Sequence, residues 1–455
     1  MATPAPNPTR AQVPPLGTER PVVWPRRFRR TLANGLEVAL VETRTIPKFT
    51  ADLYIRSGNA VATLPGLAQM TATVARTGTS RRTSHQIEDA LRGWGADLSI
   101  SAGADTTSVA FAGLAEFARP LLDLVYEIVR EASFSAEEFE RERRQKIEGL
   151  RIDRTTPEFL AAERLRKVLF GAHSYADYAP TEQQVEAYSR EALIAYYREN
   201  YAPANALLVG VGDFSADVMW KEIEGAFGDW KGAPPERAAE PEPPKSHGRH
   251  VYFVHLPGAV QTQIVVANMA ITRRHPDWMR LALANNLFGG AFNSRLVRNI
   301  REEKGYTYSP RSSVHALRQH GFFSVSAAVR NDVVAAALTE IFYELDRIRA
   351  LPVGEEELAD TRSYMSGVFS LGLGTQDGIA GQLGGVLLDG LPEEYLEKYR
   401  ERVRALQPSD VLEAARRYFD SPNAQIIVVG DGEAVAGQAA LFGEMEKFDA
   451  QGNSI

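Results

Sequence analysis

A chain of 455 residues is too long for one ordinary hydrophobic core, so two or more domains are expected. It is 44% hydrophobic and 24% charged, a globular composition, and its formal net charge of -7 gives no electrostatic reason for a nucleic-acid or anionic-membrane partner. The absence of cysteine excludes disulfides and thiolate metal sites, and no apolar run reaches the length of a membrane span.

The first ten residues, Met1 to Arg10, are rich in proline and lack an apolar signal core. Residues 1–26 read as a disordered leader. A mature exported chain with a new initiator Met and a genuine cytoplasmic start both fit it. Residues 36–42 and 50–56 then read as strands, with Asn34-Gly35 as the turn before them. Pro65-Gly66 opens a helix to about Arg76. A second helix covers about 84–94, with Ser84 as cap and Gly95 as stop. Strands are expected at 97–101 and 106–111, and amphipathic helices at about 115–131, 136–154, 157–169 and 189–201. Residues 206–211 read as a buried strand.

Residues 231–245 are dense in proline and charge and unsuited to a core, so they are the expected domain linker. Beyond it the chain repeats itself. Asn205-Ala-Leu-Leu-Val-Gly-Val-Gly-Asp213 matches Asn423-Ala-Gln-Ile-Ile-Val-Val-Gly-Asp431 at a constant separation of 218 positions (423 − 205 and 431 − 213). The helices that precede these strands match at the same separation. A period this long means a duplicated domain. The expected fold class is therefore α+β, two homologous α/β-sandwich domains over 27–230 and 246–440, with 441–455 as a tail.

In the second half, residues 288–308 read as a glycine turn, a helix, a second glycine turn and a strand. Gly289 and Gly290 suit positive φ or close backbone approach, and Asn293 or Ser294 is placed to cap the helix. Leu296, Val297 and Ile300 give the helix an apolar stripe, and Gly305 stands at its C′ position. Tyr306-Thr307-Tyr308 reads as the start of a strand. The second turn folds the chain back, so Arg301 and Tyr308 are expected side by side.

The wording of this stretch, Gly-Gly, Ser-Arg-Leu, Arg-Glu, Lys-Gly and a closing Tyr, resembles the C-terminal-half motif of the pitrilysin/insulinase-type zinc peptidases, the inverzincins. The resemblance covers about residues 27–440. It implies two similar domains forming half of a clam-shell. It also implies that Arg301 and Tyr308 reach the substrate held at a zinc ion, with Gly289 and Gly290 as substrate-binding backbone. In that family a His-x-x-Glu-His helix follows a Gly-Leu-Ala lead and supplies two ligands and the base, and a Glu from a later helix completes the site.

Here Gly66-Leu67-Ala68 is present, but Gln69 and Thr73 stand at the histidines and Ala72 at the base. Gly149, or Glu148 by a one-residue slip, stands at the last ligand. Neither imidazole nor base carboxylate is available in the helix, so no metal site and no cofactor are expected in this chain. His247 and His250 have a suggestive spacing but no evident third ligand. The run Gly372, Gly374, Gly378, Gly381, Gly384, Gly385 lacks the Lys-Ser/Thr of a phosphate loop and reads as helix and loop packing.

The resemblance thus implies the non-zinc-binding subunit of a heterodimeric metallopeptidase, inactive alone. Its partner would be a homologous zinc-bearing subunit with His-x-x-Glu-His, and its substrate a peptide. Arg301 and Tyr308 would act in trans. A purely structural or assembly subunit of the same fold is the alternative, and a peptide-binding module that clamps without cleaving is a third. Bacterial members of the family are often exported, which implies a periplasmic location.

Overall fold

The computed structural model describes residues 22–455 except Pro235. In the first half these form β1 (Arg27–Thr31), β2 (Glu37–Glu42), β3 (Lys48–Ile55), α1 (Leu67–Ala75), α2 (Ser84–Gly93), β4 (Asp97–Ala102), β5 (Thr107–Leu114), α3 (Ala118–Glu131), α4 (Ala136–Asp153), α5 (Pro157–Phe170), α6 (Glu182–Glu186), α7 (Arg190–Asn200), β6 (Ala206–Gly212) and α8 (Ala216–Phe227). The second half forms β7 (His250–His255), β8 (Gln261–Ala270), α9 (Trp278–Asn285), β9 (Arg311–Ala316), β10 (Gly321–Arg330), α10 (Val334–Ala350), α11 (Glu355–Gly372), α12 (Gln376–Leu388), α13 (Glu394–Glu397), α14 (Tyr399–Ala405), α15 (Pro408–Tyr418), β11 (Gln425–Gly430), α16 (Gly432–Ala439) and β12 (Glu444–Phe448).

Local chemistry explains most boundaries. Gly35 closes the first hairpin turn with φ 91°, and the Asn34 Oδ1 accepts from Leu36 N at 3.2 Å. The cap of α2 is Thr83 rather than Ser84. Thr83 Oγ1 accepts from Gln86 N, and Gln86 Oε1 accepts from Thr83 N. Only a cap at Thr83 places a side chain able to reciprocate three residues on, because the residue three after Ser84 is Ile87. Gly95 follows α2 with φ 57°, as expected of a stop.

The fold is a mixed α/β arrangement of two six-stranded sheets, in the orders β1-β2-β6-β3-β5-β4 and β12-β7-β11-β8-β10-β9. Five strands occupy corresponding places in the two sheets, including a parallel pair (β2 with β6, β7 with β11) beside an antiparallel one. The outer strand beyond β2 or β7 differs. In the first sheet it is the earliest strand, running antiparallel to β2; in the second it is the last, running parallel to β7. Residues 441–455, expected as a tail, thus contain an edge strand whose backbone groups are used by β7. Of the expected leader, residues 1–21 lie outside the described residues, and Trp24 packs against Phe369 of the second half at 6.2 Å between ring centroids.

The two halves exchange helices. α5 lies across β8 and β11 of the second sheet, and α12 lies across β3 and β6 of the first. Leu160, Leu165, Leu169 and Phe170 of α5 join Val265, Ile427 and Val429 in one core. Ile379, Ala380 and Leu383 of α12 join Leu207, Val209 and Val211 in another. Strands β6 and β11 are therefore buried on both faces, which is why they read as continuous apolar runs rather than alternating ones. The glycine run belongs to this packing. A Cβ on Gly384 would stand 2.7 Å from the Tyr54 ring, and Gln376 at the start of α12 donates to Thr43 Oγ1 at 3.0 Å.

Segment 231–245 connects the halves without helix or strand among its described residues. Glu240 accepts from Ser174 N at 3.2 Å, and Arg237 donates to the Arg56 carbonyl.

Candidate functional site

The glycine-turn stretch continues from α9. Residues Asn286–Gly290 form a π-helical turn, the chain bends through Ala291–Ser294, and a short helix from Arg295 widens into a second π turn over Val297–Glu303. Neither Gly289 nor Gly290 takes positive φ; both are close approaches. A Cβ on Gly289 would lie 2.6 Å from Leu296 Cδ1 and 2.7 Å from Ser312 Oγ, and one on Gly290 would lie 2.7 Å from Asn285 Nδ2. Gly289 is buried and Gly290 exposed. The expected side-chain cap does not form: the buried Ser294 hydroxyl has no hydrogen-bond partner among the described residues.

Leu296, Val297 and Ile300 are buried, as their spacing predicts. Gly305 has φ 65° at the end of the helix. Residues 306–308 are not a strand. The Tyr306 N–H is spent on the Ile300 carbonyl at 3.0 Å, closing the helix, and Pro310 has no N–H to offer. Strand pairing starts only at Arg311, opposite Ser326.

This turn brings Arg301 onto Tyr308, its guanidinium carbon 4.6 Å from the ring centroid. The same carbon lies 4.8 Å from the centroid of Phe292. Phe292 and Tyr308 are 66% and 79% exposed. Among the described residues neither the Arg301 N–H groups nor the Tyr308 hydroxyl has a hydrogen-bond or ionic partner, so their donors are free to meet an oxygen ligand.

The support beneath the pair is tied to α10 and α11. Arg295, 8% exposed, forms a two-pronged bond to Glu357 of α11, both contacts at 2.7 Å. Asn299 Nδ2 donates to Glu340 and Glu344 of α10, each at 3.0 Å. Glu340 also holds Lys304 at 3.3 Å, which keeps that ammonium above its ordinary pKa.

Gln69, Ala72 and Thr73, which the resemblance sets against the family's zinc motif, lie elsewhere, on α1 in the first half. Gln69 Nε2 donates to Thr73 Oγ1 at 3.1 Å, so these two side chains do share a helix face. Gln69 Oε1 accepts from Ala102 N on edge strand β4 at 2.7 Å, and Gln69 N donates to Asn59 Oδ1 at 3.3 Å. Ala72 is fully buried. A cavity of about 430 Å³ opens over Gln69 and Thr73, and α4 lines it with Glu142, Gln145 and Lys146. Neither Glu148 nor Gly149 is in its wall, and the Glu148 carboxylate is exposed and paired with Arg151 at 2.8 Å.

An amide spent on neighbours, a hydroxyl and a methyl do not fit a zinc ion, which needs deprotonated nitrogen, sulfur or carboxylate donors. Among the described residues no group of three or more His, Cys, Asp or Glu is placed to hold a metal. His250 Nε2 faces the His247 carbonyl at 3.2 Å, so that spacing closes a local turn. No helix of the described residues is long and apolar enough to cross a membrane.

Sequence reasoning missed Phe292 and Asn59. Phe292 carried one usable signal, an aromatic residue in a glycine turn outside any apolar period.

Two family models match. Residues 37–171 match insulinase (peptidase family M16), and residues 187–365 match the peptidase M16 inactive domain. The chain is 21% identical over 348 residues to YmxG of Bacillus subtilis, described as an uncharacterized zinc protease, covering 76% of this chain and 84% of that one. It is 22% identical over 400 residues to an uncharacterized zinc protease of Streptomyces coelicolor, covering 85% and 86%. In fold it is similar to a crystal structure of a peptidase M16 inactive domain from Pseudomonas fluorescens, with TM-score 0.84, 24% identity and coverage of 89% and 98%. It is also similar to a protease from Helicobacter pylori, with TM-score 0.83, 20% identity and coverage of 89% and 100%.

Proposed function

We propose, for a chain that belongs to the pitrilysin/insulinase (M16) zinc-peptidase superfamily and carries an inactive C-domain fold, that it is the non-zinc-binding subunit of a heterodimeric metallopeptidase. In this reading the two domains are duplicates that form half of a clam-shell. A zinc-bearing partner of the same fold provides the hydrolytic centre. This chain provides Arg301 and Tyr308, with Gly289 and Gly290 keeping the turn beside them free of side chains. The pair acts in a periplasmic setting on a peptide.

The observation that carries the reading is the state of the pair. Arg301 and Tyr308 are stacked and without polar partners, in a chain whose own α1 offers no zinc ligands. A Tyr hydroxyl and a guanidinium fork are donors suited to a peptide carbonyl whose oxygen gains charge during hydrolysis.

The test is a steady-state assay of the chain reconstituted with its partner. Tyr308→Phe removes one exposed hydroxyl, so folding and assembly should hold while kcat falls by roughly a hundredfold. A raised KM with unchanged kcat would assign the hydroxyl to ground-state binding instead. Unchanged kcat and KM, with the complex intact, would leave the structural-subunit reading. Tyr364, Val368 and Leu371 lie exposed at helical spacing on α11, an apolar side suited to the subunit contact that both readings require.

A further inference from the structure

We propose that Phe292 is a positioning residue for Arg301: with Tyr308 it flanks the guanidinium by two rings and leaves the N–H edge to a carbonyl or carboxylate oxygen. This rests on the role of Arg301 given above and adds to the site a residue that neither sequence spacing nor motif assigns.

Phe292 has no packing reason to be aromatic. It is the one phenylalanine among the exposed large hydrophobic side chains of the described residues. Its neighbours Ala291 and Ser294 are buried and closed onto each other, Ser294 N donating to the Ala291 carbonyl at 3.1 Å, so the turn pushes residue 292 outward. Once outside, its ring lies under the Arg301 guanidinium. A guanidinium stacks through its faces and donates through its edge. Rings with centroids 4.8 and 4.6 Å from the guanidinium carbon pack on it without consuming a donor.

The alternative fate of this guanidinium is close at hand. Glu302 and Glu303 adjoin it in sequence and both are exposed, yet neither is paired with Arg301 in the structure. With Tyr308 alone as a stacking partner the side chain would have more conformations to lose on meeting a ligand, and part of the binding energy would go to ordering it.

The test uses the full chain labelled with nitrogen-15 arginine, with Arg301→Lys identifying the Arg301 Nε–H signal. In the wild type this signal should carry the upfield shift of a group held over aromatic rings. Phe292→Ala should move it toward the position of a free arginine, and Phe292→Tyr should keep it in place, with thermal melts unchanged in both. A signal that stays put in Phe292→Ala would overturn the inference.

In the complex with the zinc-bearing partner, Phe292→Ala should lower kcat/KM by roughly two- to fivefold and Phe292→Tyr should restore it. If Arg301→Ala leaves turnover untouched, the trans reading of Arg301 fails, whatever the spectrum shows. If Arg301→Ala impairs turnover and Phe292→Ala does not, the inference about Phe292 alone fails.

Discussion

Arg301 has two rings against it and no carboxylate, whereas Arg295, six positions earlier on the same helix, is buried and paired. The difference is one of partners: the donors of Arg295 are bound to a carboxylate, and those of Arg301 are free. The opposite holds for Gln69, whose carbonyl and amide are both satisfied by the fold, tying α1 to the edge strand β4. That bonding carries a prediction at this scale. The purified chain should retain zinc well below stoichiometric amounts after extensive dialysis and cleave no peptide by itself. Elemental analysis with a chelator-sensitive peptidase assay checks it; a tightly held, stoichiometric zinc would contradict the assignment. The Arg301–Tyr308 neighbourhood was legible because a helix stop at Gly305 leaves few ways for the next three residues to go. The contact with Phe292 was not, since it depends on how a four-residue bend is oriented by buried neighbours.

At the scale of the element, the Arg/Tyr helix is short and partly π-helical, and such a segment is not held by its own hydrogen bonds. It is held by clamps to α10 and α11. Arg295→Ala would leave Glu357 without its partner and break the clamp to α11. With Arg295 buried and Glu357 partly exposed, a loss of about 2–3 kcal/mol of stability is expected, less than for a fully buried pair. Urea unfolding should show a lower midpoint at unchanged slope, and Arg295→Lys should recover only part of it because an ammonium cannot make the two-pronged bond. An unaltered midpoint for Arg295→Ala would show that α11 is not a support. The apolar stripe of this helix was readable from period alone. Its cap and the strand after it were misread, since Ser294 is buried without a partner and the Tyr306 N–H is consumed by the helix end.

For the whole molecule the exchange of α5 and α12 is the decisive feature. Each sheet is covered on its second face by a helix from the other half, so that face of each half is not closed by its own residues, although the first half keeps a core of its own on the other face. The full chain should therefore unfold in one cooperative transition, and residues 22–245 expressed alone should bind a hydrophobic dye and lack a sharp melt. A well-folded fragment with a native melt would show that α5 and α12 are accessories. The same packing makes Leu169, fully buried between the halves, a costly position: Leu169→Ala should destabilise the whole chain by about 2–5 kcal/mol.

The sequence by itself determined the local and the repeated: the hairpin at Asn34-Gly35, the helix stops at Gly95 and Gly305, and the unalternating apolar runs that mark β6 and β11 as buried on both faces. It also determined the absence of ligand chemistry at Gln69, Ala72 and Thr73, because donor type is a property of the residue and not of its surroundings. Only the tertiary structure decided what covers those buried strands, which carboxylates clamp the Arg/Tyr helix, that residues 444–448 complete the second sheet, and that Phe292 lies under Arg301. The physical reason is range. Turn, cap and period are set by forces between residues a few positions apart, which leave a mark in the order of residues. A helix lent across two domains and a ring placed by a bend depend on contacts between distant segments, for which apolar residues are interchangeable and the sequence carries no address.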